Sequence, residues 1–151
     1  MKRLVNGVEI DIPADELAAL AAEQLAGAKS ARIAWLNSDC AQAIVSGFQS
    51  SALGEPHTYP SHPTDQQNLS AAVTASQLPV FSANKDWRVP FPCADAQHVW
   101  ARREHTAAQI QQVGMDAFAA VAARLQQKDA LVLKVQVAKT EKEVAAIVWP
   151  A

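Results

Sequence analysis

"GEPHTYPSHPTDQQNL", residues 54–69, sets two histidines, three prolines, an aspartate and two glutamines within sixteen positions. Either it holds a metal or a catalytic base, or it carries the chain out of one helix and into the next. Pro56, Pro60 and Pro63 forbid helix through most of it, and each biases its predecessor toward extended backbone. Thr64 followed by Gln67 reads as a capping box that opens a helix over "DQQNLSAAVTASQL". Asp65 in its first turn suits the positive end of the helix dipole. A strand candidate around Tyr59 and then a helix start explain the prolines, Thr64, Asp65 and Gln67 without any chemistry.

Upstream, "RLVNGVEIDI" reads as a β-hairpin about Asn6-Gly7, a type I′ turn pair. Pro13 stops it, and "ADELAALAAEQLAG" starts a helix with Asp15 as N-cap. Two apolar stripes follow, Leu17-Leu20-Ala21-Leu25-Ala28 and Ile33-Leu36-Cys40-Ile44-Phe48, and they meet at Lys29 and Arg32. One helix over 16–53 would span about 57 Å, longer than a domain of this size is wide. That favours a joint near Gly27, or a long helix that leans on a second molecule by self-association. Gly54 is the expected C′ stop.

Downstream, Pro79 ends the capped helix. "VFSANKDWRVPFPCADAQHVWARREH" is rich in aromatic and β-branched residues, with "ANKD" and "PCADA" as breaks, and predicts antiparallel strands near 86–91 and 97–104. Thr106 with Gln109 is a second capping box, and Ile110, Val113, Phe118, Val121, Leu125 and Val132 carry a helix to about residue 137. Thr140 with Glu143 is a third box, before Val144, Ile147 and Val148. The fold class is therefore α+β: a long N-terminal helix or helix pair, a small antiparallel sheet of short strands, and C-terminal helices packed on it. The expected division is residues 1–27, hairpin and helix start, and residues 28–151, the core.

The chain has 151 residues and a formal net charge of −2, so nothing in its charge calls for a nucleic acid or an anionic membrane as partner. Half the residues are hydrophobic, but many are alanine, which predicts a helix-rich, thinly filled core. Cys40 and Cys93 stand far apart without CxxC spacing, against a zinc site or disulfide framework. No run reaches the roughly 18 apolar residues of a membrane span, and the residues after Met1-Lys2-Arg3 are not those of a signal peptide. The expectation is a soluble protein of a reducing cytoplasm.

His57, His62, His98 and His105 are the candidates for metal or general-base work. His57 and His62 lie five apart in a proline-ruled loop, not at i, i+4 on a helix. No G-x-S-x-G elbow is present, and Ser46-Gly47 falls within a helical pattern. Cys40 sits on an apolar stripe; Cys93 is expected in a turn, with only distant arginines to lower its pKa. Phosphate loops are missing from the five glycines. The chain reads as no enzyme, with no cofactor and no metal. What remains is an aromatic and basic cluster of Trp87, Arg88, Phe91, His98, Trp100, Arg102 and Arg103, residue types enriched at interface hot spots. Alternatively the tryptophans fill space between sheet and helices while the arginines are edge charges. As a partner-binding set we take Trp87, Arg88, Phe91, Trp100, Arg102 and Arg103.

"RIAWLNSDCAQAIVSGFQSSALGEPHTYPSHPTDQQNL", residues 32–69, resembles the uncharacterised domain found in many tailed-phage and prophage tail proteins. The elements that carry the likeness are "AIVSGFQSSALG", "HTYPSHPTDQQNL" and "WARREHTAAQIQQVGMDA", in that order, and it covers roughly residues 28–150. The resemblance implies a tail-fibre assembly chaperone, of a phage or of a phage-tail-like bacteriocin such as an R-type pyocin. Such a protein would bind the distal part of a trimeric tail fibre in the host cytoplasm and promote its folding and trimerisation. The alternative is a structural tail component or adaptor retained in the particle. No catalytic residue comes with the resemblance.

Overall fold

The computed structural model describes residues 2–5 and 7–150, with backbone alone for residues 3–5. The architecture is α+β, 61% of it helical. A hairpin of β1 (Lys2–Val5) and β2 (Val8–Asp11) precedes the long helix α1 (Ala14–Val45). Strands β3 (Phe48–Ser50) and β4 (His57–Tyr59) lead to α2 (Pro63–Gln77) and the single turn α3 (Pro79–Ser82). Strands β5 (Val89–Ala94) and β6 (Trp100–His105) then lead to α4 (Ala107–Val137) and α5 (Glu141–Ala146). A second sheet runs β3-β4-β5-β6, all antiparallel.

By packing, the chain forms two compact units, Met1–Ser38 with Lys128–Ala151, and Asp39–Gln127. In the first, Leu36, Val135, Ala138 and Val144 are buried together, with Leu25, Ala28 and Ile33 against them. Here α5 buries Val144, and Lys29 Nζ donates to the Gln136 carbonyl (2.8 Å), a cation at the negative end of α4. In the second, α2 and the first half of α4 lay Leu69, Ile110 and Val113 on Phe48, Tyr59, Phe91 and Cys93 of the sheet.

The helix boundaries correct several expectations. Helix α1 passes through Gly27 unbroken for 32 residues, about 48 Å at 1.5 Å per residue. Asp15 lies inside its first turn instead of capping it. It ends at Val45, so Ser46 and Gly47 are outside the helix and Phe48 belongs to a strand that the helical stripe had hidden. The stop is Gly47, not Gly54: its φ is +103°, and a Cβ there would stand 2.7 Å from the Tyr59 carbonyl oxygen. Only glycine allows both. The last turn of α1 has no basic residue of its own; Arg124 Nη2 on α4 supplies the cation, donating to the Gly47 carbonyl at 2.9 Å.

Thr64 does not cap α2. His62 occupies the N-cap with Pro63 at the first helical position, and Asp65 Oδ2 accepts from the His62 N–H at 3.1 Å. The box at Thr106 is reciprocal, Gln109 Oε1 accepting from Thr106 N (2.9 Å) and Thr106 Oγ1 from Gln109 N (3.2 Å). At Thr140 half the box forms: Thr140 Oγ1 accepts from Glu143 N, while the Glu143 carboxylate accepts from Lys139 N.

The sheet lies a few residues downstream of the predicted strands, and "PCA" is strand, not turn. Pro90 and Pro92 are tolerated because their missing N–H groups cost β6 nothing. They fall in alternate positions of β5, and β4 pairs with that strand only at Thr58↔Ala94. At the hairpin the Val5↔Val8 register leaves residues 6 and 7 between the strands. Gly7 has the φ of +79° that a type I′ turn requires; Asn6 lies outside the described residues.

Two glycines separate backbone freedom from packing. A Cβ at Gly27 meets nothing within 4 Å, so Gly27→Ala should stabilise the protein by roughly 0.5–1 kcal/mol. At Gly114 it would lie 2.7 Å from Val73 Cγ2, a branched side chain with few rotamers to move to. Overpacking of about 1–3 kcal/mol should cancel or exceed the same gain. Urea denaturation of both variants checks this; equal gains would mean that α2 and α4 do not touch there. Thr64→Ala should change stability by less than about 0.5 kcal/mol, whereas Asp65→Ala should cost about 0.5–1 kcal/mol.

Candidate interaction surface

Strand pairing decides which side chains share a face. Across β5 and β6, Val89↔His105, Phe91↔Arg103 and Cys93↔Ala101 project to one side, and Pro90↔Glu104 and Pro92↔Arg102 to the other. The first side carries the core. Tyr59, fully buried, stacks on Phe48 with centroids 5.5 Å apart and leans on Phe91 at 6.4 Å. Its hydroxyl meets His105 Nε2 at 2.8 Å, while His105 Nδ1 lies 2.7 Å from the Arg103 carbonyl. A carbonyl only accepts, so Nδ1 carries the proton and Nε2 accepts from the tyrosine hydroxyl. Burial holds the His105 pKa below the ordinary value, against the opposing hydrogen bond to Arg103. Burial first, then Cys93, pushes the Tyr59 pKa up.

This arrangement separates the six residues taken from the sequence as a binding set. Phe91 is in the core. Arg103 is committed to its own hairpin, Nη1 donating to the Cys93 carbonyl at 2.7 Å and Nη2 to Asp95 Oδ2 at 2.8 Å. Asp95 also accepts through Oδ1 from the N–H groups of Gln97 and Val99, and these bonds, Val99 foremost, hold its pKa down. His98 in that turn takes φ +60°, a left-handed conformation that histidine enters more readily than most residues. Trp87 is half-buried against Phe81, centroids 5.8 Å apart, and packs on the core. Arg88 is exposed, its guanidinium donating to the Lys85 and Trp87 carbonyls. Trp100, 55% exposed, and Arg102 remain together on the outer face of the edge strand β6.

Cys93 sits in β5, not a turn, and is fully buried, as is Cys40 in α1. His57 Nδ1 donates to the Glu55 carbonyl and His62 pairs with Asp65. Among the described residues no three of His, Cys, Asp and Glu stand together as a metal-binding group. Likewise, no helix there is long and apolar enough to cross a membrane.

A second surface was not legible in the sequence. Between α2 and α4 lies a groove of about 690 Å³ with an apolar wall of Phe48, Leu69, Val73, Met115, Phe118 and Val121. Gln66, Thr74, Gln77 and Gln111 give it an amide and hydroxyl margin, and none of its lining residues carries a charge. The helices are tied beside it: Gln111 Nε2 donates to Ser76 Oγ at 3.0 Å, and Ser76 Oγ to the Val73 carbonyl at 2.6 Å. Phe118 is 77% exposed and Met115 59%. In the sequence, Phe118 and Leu125 serve only as part of the apolar pattern that carries this helix. At about 100° per residue, Phe118 stands roughly 100–160° around the helix from Val113, Ala117 and Ala120, which face the core. The alanines hid that face.

A model of the family described as "Domain of unknown function (DUF4376)" matches residues 27–148. The chain belongs to that family. No curated protein and no solved structure matches it. The DUF4376 match takes in the whole four-stranded sheet and the groove, and leaves out the hairpin β1–β2.

The buried imidazole gives a pH signature. With a folded pKa below the unfolded one, His105 takes up protons more readily after unfolding. Its contribution to stability is thus fully present above about pH 6.5 and is lost as pH falls below it, by at most about 1.4 kcal/mol per pH unit. Urea midpoints measured from neutral to mildly acid pH should fall more steeply for the native protein than for His105→Gln. Equal slopes would place the acid sensitivity elsewhere.

Proposed function

We propose that this protein is a tail-fibre assembly chaperone, acting on the fibre of a phage or phage-tail-like bacteriocin, and that the α2–α4 groove is where it grips the fibre chain. The observation that carries the reading is the uncharged, apolar groove with Met115 and Phe118 held out at its side. Contiguous exposed apolar surface is a mark of interaction sites. The resemblance of residues 28–150 to the domain of phage and prophage tail proteins supplies the partner.

The physical need fits the surface. An intertwined, β-rich trimer is built from non-local contacts, forms slowly, and exposes apolar segments and strand edges while it forms. A neutral groove takes up an apolar, uncharged segment, lowers its free concentration, and releases it when the trimer buries that segment. No nucleotide is needed for such a cycle. Trp100 and Arg102 on β6 offer a second contact, rich in the residue types of interface hot spots.

Co-expression with the cognate fibre tests the proposal. The fibre alone should be largely insoluble or non-trimeric, and this protein should restore soluble trimers. Phe118→Glu should abolish most of the rescue while leaving thermal stability within a few degrees, because the ring is exposed. Binding of an isolated fibre fragment should change little with salt, as expected for a groove without charge. A fibre that trimerises equally well alone would end the chaperone reading. Rescue that survives Phe118→Glu but fails in Trp100→Glu would move the contact to β6.

A further inference from the structure

In hairpin β1–β2, the strand β2 buries none of its side chains. All four β2 residues are exposed, Val8 at 62% and Ile10 at 37%, and these two share one side of the ribbon, with Glu9 and Asp11 on the other. A hairpin of two strands with water on both sides is marginal at best. It also lies outside the residues that match the family. We infer that β1–β2 is a self-assembly element, and that its occupant is the hairpin of a second copy of this chain, added strand to strand.

The backbone defines the docking edge. With residues 6 and 7 as the whole loop, Val5↔Val8 and Arg3↔Ile10 are the hydrogen-bonded pairs of the ribbon; Leu4↔Glu9 and Lys2↔Asp11 are the other kind. The N–H and C=O groups of Glu9 and Asp11 therefore point away from β1, toward the place of a third strand.

Charge selects which strand comes. β1 reads "KRLV", with two basic residues, and β2 reads "VEID", with two acidic ones. Pairing β1 with β1 of another copy sets cations against cations, and β2 with β2 sets carboxylates against carboxylates. Like charges opposite one another weaken a sheet. Pairing β2 with β1 of the next copy continues the alternation of sign already present within the ribbon, where Lys2 Nζ lies 3.3 Å from Glu9 Oε2. Such a contact uses two different edges, so it is heterologous and does not stop at a dimer: it closes into a ring or runs on. This inference stands whether or not the protein assists a fibre.

Sedimentation or light scattering of the full chain across a concentration series tests it. The native protein should form species larger than a dimer, and added salt should weaken them. Glu9→Pro and, at the open end of the ribbon, Asp11→Pro each remove one outward N–H without removing a bond inside the hairpin. Both should sediment as monomers with unchanged helical circular dichroism. Glu9→Thr loses the ion pair with Lys2 but keeps the N–H, and should still assemble beyond a dimer. A native protein that is monomeric at every concentration, or that stops at a dimer, overturns the inference. So does assembly that persists in both proline variants.

Discussion

A buried hydrogen bond, from the Tyr59 hydroxyl to His105 Nε2, bridges the second and fourth strands of the small sheet. Strand β4 has three residues and meets β5 in one register pair, Thr58↔Ala94, too little ladder to fix its place. Tyr59 reaches past β5 to the end of β6 and at 2.8 Å ties the fourth strand to the second. A net hydrogen bond contributes only about 1 kcal/mol, but either partner left alone in the core would cost about 1–3. The pair is therefore more demanding than it is strong. It also fixes the imidazole as neutral, with its Nδ1 proton on the Arg103 carbonyl.

The helices take their places from that core. Ile110 and Val113 at the start of α4 and Leu69 in α2 cover the Phe48, Tyr59 and Phe91 rings, and Gly114 lets α2 come close enough for Val73 to fill the space. Alanines at 117 and 120 face the core from α4, and the larger side chains of that helix, Met115 and Phe118, are left outside. The groove lies between these helices, with Met115 and Phe118 on its wall. A bulkier seam would have pushed α2 away or drawn the phenylalanine in.

Three surfaces of different chemistry follow: a neutral groove on α2 and α4, a tryptophan and arginine on β6, and a hairpin with one basic and one acidic strand. They suit different partners, since a groove without charge discriminates by shape and apolar area, while strand edges discriminate by backbone geometry and sign.

Local chemistry in the sequence determined most of the elements. Asn6-Gly7, the prolines of residues 56–63, the Thr106/Gln109 box and the periodicity of 107–137 act over a few residues, so hairpin, loop and helix starts were readable from them. Where two local devices competed, proximity chose: Asp65 stands within reach of the His62 N–H, and it, not Thr64, completes the start of α2. The tertiary structure alone decided which side of α4 is buried, because alanines on the sheet side and a phenylalanine away from it invert the usual reading of an apolar stripe. It also decided that Phe91 and Arg103 are spent inside the hairpin while Trp100 and Arg102 face outward, since in a strand neighbouring residues point to opposite faces and only the register with β5 tells which face has a partner. Gly47 ends α1 for a reason no local window contains: the Tyr59 carbonyl occupies the space where a side chain would stand.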